Sequence, residues 1–383
     1  MPLYVYEANT SFDQTFTDMS NPLISLILCS RNDSYMGNSL WRLETSINLA
    51  LIHAKEANLL NKLEIIVSDW GSKEPLSDVL NLIPEAEDRV KFVHIPSELA
   101  SKKQKDSKFP EVIALNAAAR RASGQYIGRI DNDTIVGAKF FENFSRLLED
   151  ENSLWFDPTD SFMFIERRSI PYRFSSQSYS LEYVYNYIKY YGSKLKIETA
   201  RTWGFPFWWS PVGIMLFNRE IWHNSRGYDE KLIYWGWMEG DMALRLGKKH
   251  LLIDFKDSVG NYLYHLEHYP SMTEYKDRNG PATPRKKNEP KIYGLKYQVN
   301  DKSWGVGQNN ISLTKYHSKQ KKAISETKSN GGMLSNIGMR YCFIMCNTMR
   351  AIDVIKLGFP DFIQSKINSF KIVMGRIKNT IKQ

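Results

Sequence analysis

Apolar runs of strand length that alternate with amphipathic stretches of helix length constrain this chain more than any other feature. After Pro22, residues 23–29 form an apolar run with one polar member, Ser25, and a polar loop begins at Ser30-Arg31-Asn32-Asp33. Residues 39–60 then place Leu40, Leu43, Ile47, Leu51 and Ala54 at spacings of three and four, which puts them on one face of a helix. The pattern repeats with strands expected at 63–67, 90–95 and 125–130 and a helix at 111–122. Such alternation implies an α/β architecture with a mainly parallel, doubly wound sheet, whose ligands bind beyond the carboxyl ends of the strands. Three polar clusters lie at that edge: Ser30 to Asp33, the group around Asp69, and Asp131-Asn132-Asp133.

The last cluster carries the clearest chemistry. Two carboxylates flanking one residue at the end of a buried strand are costly unless a cation or hydrogen-bond donors neutralise them. Oxygen ligands of this kind suit Mg2+ or Mn2+, ions that also bind the phosphates of a nucleotide. Asp and Asn are frequent in turns as well, so a plain turn is the competing reading of the triplet.

Composition bounds the rest. A chain of 383 residues with 42% hydrophobic and 24% charged side chains has the make-up of a folded globular protein. Its apolar runs fall far short of the roughly 20 residues that cross a bilayer. The first 20 residues carry Glu7, Asp13 and Asp18 and lack the pattern of a secretory signal. Cys29, Cys342 and Cys346 form neither a disulfide framework nor a zinc spacing, so a reducing, cytoplasmic setting is expected. The net charge of +9 is concentrated in residues 314–383, which hold 13 Lys or Arg against 3 Asp or Glu. Such a basic tail, with scattered Ile, Met and Phe, suggests two amphipathic helices and peripheral attachment to an anionic membrane face. No nucleic-acid-binding motif accompanies it, and no nucleic-acid partner is expected.

Taken in chain order, residues 23–33, 67–72, Ala114-Leu115-Asn116 through Ile127, and 130–133 resemble the nucleotide-binding half of a family 2 type glycosyltransferase with the GT-A fold. Residues 213–220, 227–230 and 235–245 resemble its acceptor half, so the likeness covers roughly 22–270. It implies a nucleotide-sugar-binding half at 22–134 and an acceptor and catalytic half at 135–275, after an N-terminal extension at 1–21. Composition sets apart a linker and lid at 276–313, rich in Pro, Gly and Lys at its start, and the basic helical tail at 314–383. Ser30, Arg31, Asp33, Asp69, Asn116, Asp131, Asn132 and Gly213 would then line the nucleotide-sugar pocket. Asp133, Asp131 and His265 would hold Mn2+ or Mg2+, whereas His268 beside an aromatic strand reads more readily as structural. Glu239 stands in the place of the catalytic base, with Asp241 as the substitute two residues on.

The resemblance thus implies an inverting transferase that moves a sugar from a nucleotide-sugar, UDP-linked by preference, to a glycan or lipid-linked acceptor in surface polysaccharide synthesis. Trp203, Trp208, Trp209, Trp235 and Trp237 are candidates for stacking on sugar faces, although most aromatics are core. Trp304, within 300–307, is the lid candidate. Nucleotidyl transfer on the same fold requires a Gly-rich loop with a basic residue after the first strand, where only Gly37 stands. The remaining alternative is a non-catalytic carbohydrate-binding or membrane-associated protein that keeps the fold.

Overall fold

The computed structural model describes residues 22–149, 156–198, 213–268, 288 and 296–318. The N-terminal extension, Trp203, Trp208, Trp209, most of the linker and the tail beyond 318 lie outside them. The first half runs β1 (Ile24–Ser30), α1 (Ser39–Glu56), β2 (Leu63–Trp70), α2 (Leu76–Val79), β3 (Val90–Ile95), α3 (Ser97–Gln104), α4 (Glu111–Ala119) and β4 (Tyr126–Arg129). There follow β5 (Thr134–Val136), α5 (Ala138–Glu149), β6 (Ser161–Ile165), β7 (Arg167–Ile170), α6 (Arg173–Gln177), α7 (Leu181–Tyr191) and β8 (Ile197–Glu198). The remainder comprises β9 (Ile214–Asn218), α8 (Arg219–Ser225), α9 (Met238–Leu246), β10 (Leu251–Asp254), α10 (Lys256–Val259), β11 (Leu263–Leu266) and β12 (Thr314–Lys315).

Eight strands form one sheet in the order β10-β6-β9-β4-β1-β2-β3-β12. The expected α/β sheet is therefore present, with β4, β1, β2 and β3 parallel; β9 runs antiparallel between β4 and β6. Side-chain alternation along β1 explains the two helical layers. Leu26 and Leu28 face a core with Leu43, Ile47 and Leu51 of α1, while Ile27 faces the opposite core with Ala114, Leu115 and Ala118 of α4. Removing one such fully buried aliphatic side chain down to Ala typically costs about 2–5 kcal/mol.

A second sheet, β5-β11-β7-β8, is not foreshadowed by any apolar run. It packs a third core in which Ile135 and Tyr264 meet Phe174, Val184 and Tyr187. Tyr179 stacks on Tyr183 with ring centres 4.6 Å apart, so much of the dense aromatic region is structural. Both halves of the chain share the first sheet through the β4–β9 pairing, and β5 crosses from the first half into the second sheet.

The segment at 300–307 does not have the loose attachment of a lid. Trp304 is buried in the α4 core beneath the Arg120 guanidinium, and Gly305 N donates to Glu230 Oε1 at 2.6 Å. Gly305, at φ +61°, lies so close to α4 that a Cβ there would come within 2.4 Å of Asn116 O. Downstream, β12 adds to the free edge of β3 and Tyr316 enters the core, so the first residues of the expected tail belong to the sheet.

Candidate active site

Register sets the site. Pairing of β1 with β2 puts Ser30 opposite Asp69, and β4 ends beside them just before the triplet. Thr134 N donates to Asp131 O at 3.0 Å, so the triplet is a turn, and this turn carries the chain from the first sheet into the second. Turn and site are the same structure. Asn132 Nδ2 donates to Ser30 Oγ at 3.3 Å, tying the turn to the end of β1.

Asp133 is 5% exposed, and its Oδ1 accepts no hydrogen bond. His265 Nε2 stands 3.6 Å from Oδ1 and His268 Nε2 3.6 Å from Oδ2. These gaps are too long for hydrogen bonds. They are close to the roughly 3.0–3.4 Å that separates neighbouring ligands held at about 2.1 Å from one ion. One donor atom from each of the three residues falls within a span of 4.8 Å. A carboxylate with two imidazoles is a donor set for a divalent transition ion, so the residues fit a metal. Burial alone would raise the Asp133 carboxyl, but His265, His268 and Arg167 hold it well below the usual carboxylate range.

The two histidines arrive by different routes. His265 lies in β11 opposite Thr134 and is placed by the ladder. His268 stands two residues past the strand; in a continued strand, residues three apart face opposite sides, and leaving the ladder lets both rings meet Asp133.

Asp131 has a different environment from Asp133. Its Oδ1 is 2.7 Å from Arg129 Nη2 and its Oδ2 accepts from Arg167, so it is paired with two guanidinium groups and lies outside the Asp-His-His group. The same Arg129 Nη2 reaches Glu111 Oε1 at 2.7 Å and Glu239 Oε1 at 3.2 Å. Arg129 is 2% exposed, whereas the Glu239 side chain at the start of α9 remains 13% exposed. Burial, with Asp131 and Glu239 nearby, pushes the Glu111 carboxyl up to about 7 despite the guanidinium beside it. Asp241 is 3% exposed and accepts from Arg245 Nε at 2.7 Å, an internal pair of α9.

Three expected pocket residues are occupied within the protein. Asp69 accepts from Ser72 Oγ, from Leu76 N at 2.9 Å and lies 2.9 Å from His94 Nδ1, which closes the turn after β2. Asn116 donates both amide hydrogens, to Tyr228 O at 2.9 Å and Glu230 Oε1 at 3.0 Å, and accepts from Tyr228 N at 2.8 Å. These bonds pin the segment before α9 onto α4. Gly213 leaves no room for a side chain, since a Cβ would come within 2.1 Å of Ile165 O. Arg31 and Asp33, by contrast, form a partly exposed pair at 2.7 Å in the loop after β1.

Arg129, Arg167 and Glu111 escape a reading by motif. Each stands in an unremarkable local pattern, and only the buried Arg in an apolar strand was a signal available beforehand.

No protein-family model and no curated protein matches this chain. Among solved structures it is similar to Staphylococcus aureus TarS 1-349, at 13% identity and a TM-score of 0.38, covering 66% of this chain and 62% of that one. The same TarS segment has been solved with UDP and with UDP-GlcNAc. It is also similar to the mannosyltransferase PcManGT of Pyrobaculum calidifontis in complex with GDP-Man and Mn2+, at 16% identity and a TM-score of 0.35, covering 62% of this chain and 56% of that one. The catalytic domain of Drosophila β1,4-galactosyltransferase 7 with xylobiose is similar at 11% identity and a TM-score of 0.33, covering 64% and 70%.

Proposed function

We propose that this chain is a metal-dependent glycosyltransferase of the GT-A type that uses a nucleotide-sugar, UDP-linked by preference, and inverts the anomeric centre. The observation that carries the reading is the buried group of Asp133, His265 and His268 at the strand ends, with a further carboxylate, Glu239, held by Arg129 at the end of β4. Asp133, His265 and His268 would hold Mn2+ or a related ion, which when bound neutralises the departing diphosphate. Glu239 is the base that takes the acceptor hydroxyl proton as the anomeric carbon gains positive charge. Asp241 is committed to Arg245 and serves α9 instead. Ser30 and Asn132 brace the triplet, and Arg31 with Asp33 offers polar groups on the nucleotide side. A single displacement needs one base and no covalent nucleophile, which makes inversion the expected outcome.

The basic segment beyond 318 is proposed to meet an anionic membrane face, where a lipid-linked glycan acceptor would be found. Release of UDP or GDP from nucleotide-sugars, screened against Mn2+ and Mg2+, tests the enzyme reading. Turnover lost in Asp133→Ala and in Glu239→Ala supports it; absence of nucleotide binding under every metal condition ends it. Equal pelleting with anionic vesicles of the full chain and a chain ending at 318 would remove the membrane proposal.

A further inference from the structure

Arg129 lies in the buried strand β4, where taking a guanidinium out of water costs several kcal/mol unless partners compensate. Its Nη2 has two hydrogens and faces three carboxylates, at 2.7 Å from Glu111, 2.7 Å from Asp131 and 3.2 Å from Glu239. Only Glu111 and Glu239 meet it in hydrogen-bond geometry, and Asp131 is also served by Arg167. One nitrogen thus joins the first turn of α4 to the first turn of α9.

That junction matters because it reaches the Glu239 side chain itself, whereas Asn288 Nδ2 donating to Gly236 O at 2.8 Å and the buried Met238 hold the backbone entry and the apolar face of α9. Its entry runs through Gly236 at φ +90° and Trp237 at φ +73°, and the Trp237 side chain does not cap the helix. No strand pairing reaches Glu239. We infer that Arg129 is the positioning residue for Glu239: anchored from the other side by Glu111, it tethers the carboxylate at the end of β4, next to the triplet. The inference rests on the reading of Glu239 as the base, and it assigns Arg129 and Glu111 a function that acts through that side chain. A misplacement of about 1 Å at a reacting group can cost on the order of 100-fold in rate. A tether of this kind therefore acts on turnover more than on donor binding.

A double-mutant cycle tests the tether without any substrate. Arg129→Gln, Glu239→Gln and the double variant are compared by urea unfolding, and a coupling of about 10-fold or more in the folding equilibrium is expected. Coupling below 2-fold overturns the tether. Should Arg129→Gln fail to fold, the same cycle with Arg129→Lys and Glu239→Gln is read by the same limits.

Turnover supplies the second arm, with UDP-glucose as donor probe and water as acceptor, followed by UDP release. Arg129→Lys and Glu111→Ala are expected to lower kcat by about 100-fold and 10-fold with the KM for UDP-glucose within 3-fold. A KM that rises while kcat holds overturns the positioning role. If coupling is present but Glu239→Gln leaves turnover intact, the base reading has failed and the tether stands. If Glu239→Gln abolishes turnover and coupling is absent, the tether alone has failed.

Discussion

Replacing Glu111 by Gln should flatten the pH dependence of stability between pH 4.5 and 7.5. In the folded chain burial pushes this carboxyl up to about 7, from an ordinary value of 4.5 that the unfolded chain should show. Over that interval the folded state binds a proton that the unfolded state has already released, so stability falls as pH rises. The contribution is complete below 4.5 and is lost as pH passes through about 7. At about 1.4 kcal/mol per pH unit, the whole displacement gives an upper bound of roughly 3 kcal/mol between pH 4.5 and 7.5. The side chain is 24% exposed and keeps part of its hydration, which reduces the expected loss to about 2 kcal/mol. Urea unfolding of wild type and Glu111→Gln across this range reads the effect as the difference between the two pH profiles. In melting temperature the difference corresponds to roughly 4–8 °C for a body of this size. Parallel curves, agreeing within about 0.5 kcal/mol at every pH, would refute the buried-proton account.

Three further outcomes follow from the same geometry. Mn2+ at about 100 times its dissociation constant should stabilise the wild type by roughly 2.7 kcal/mol; in a thermal-shift titration Asp133→Ala should show no such gain, and an equal gain in both would remove the site. Asn116→Ala strips the Tyr228 amide of its acceptor and should destabilise the fold by about 3 kcal/mol in chemical denaturation, with a change under about 0.5 kcal/mol counting against the pin. Breaking the buried pair with Asp241→Asn should cost about 3 kcal/mol while UDP release persists, and selective loss of turnover at unchanged stability would return Asp241 to the role of base.

Local pattern made the first half of the fold legible. The strand expected at 90–95 is β3 without change, and β1, β2 and β4 shift by a residue or a few, because a doubly covered strand announces itself as an apolar run. The second sheet is silent for the opposite reason. Its β7 begins with the buried Arg167 and the partly buried Arg168, whose charges pair with Asp131 or donate to Asn261 O and Leu195 O. Site residues divide in the same way. Asp133 and His265 occupy positions that a motif can mark. The Arg129–Glu239 contact spans 110 residues of sequence, and nothing in the spacing of either side chain signals the other. Asn116 was visible as a polar residue in an apolar helix, but whether its amide faces a ligand or the Tyr228 backbone depends on packing between distant segments.

The β5–β11 ladder of the second sheet gives the metal group a mechanical character. Leu266 N donates to Asp133 O at 2.9 Å and His265 pairs with Thr134, so the spacing of carboxylate and imidazole is written into a β-ladder instead of a mobile loop. An ion held there works as a rivet through that ladder: it ties β5 to β11, two strands of the second sheet already in register, and opposes their parting. Parting of β5 from β11 and release of the ion should then be one event, with amide exchange along β5 and β11 slowing together as the ion is titrated in.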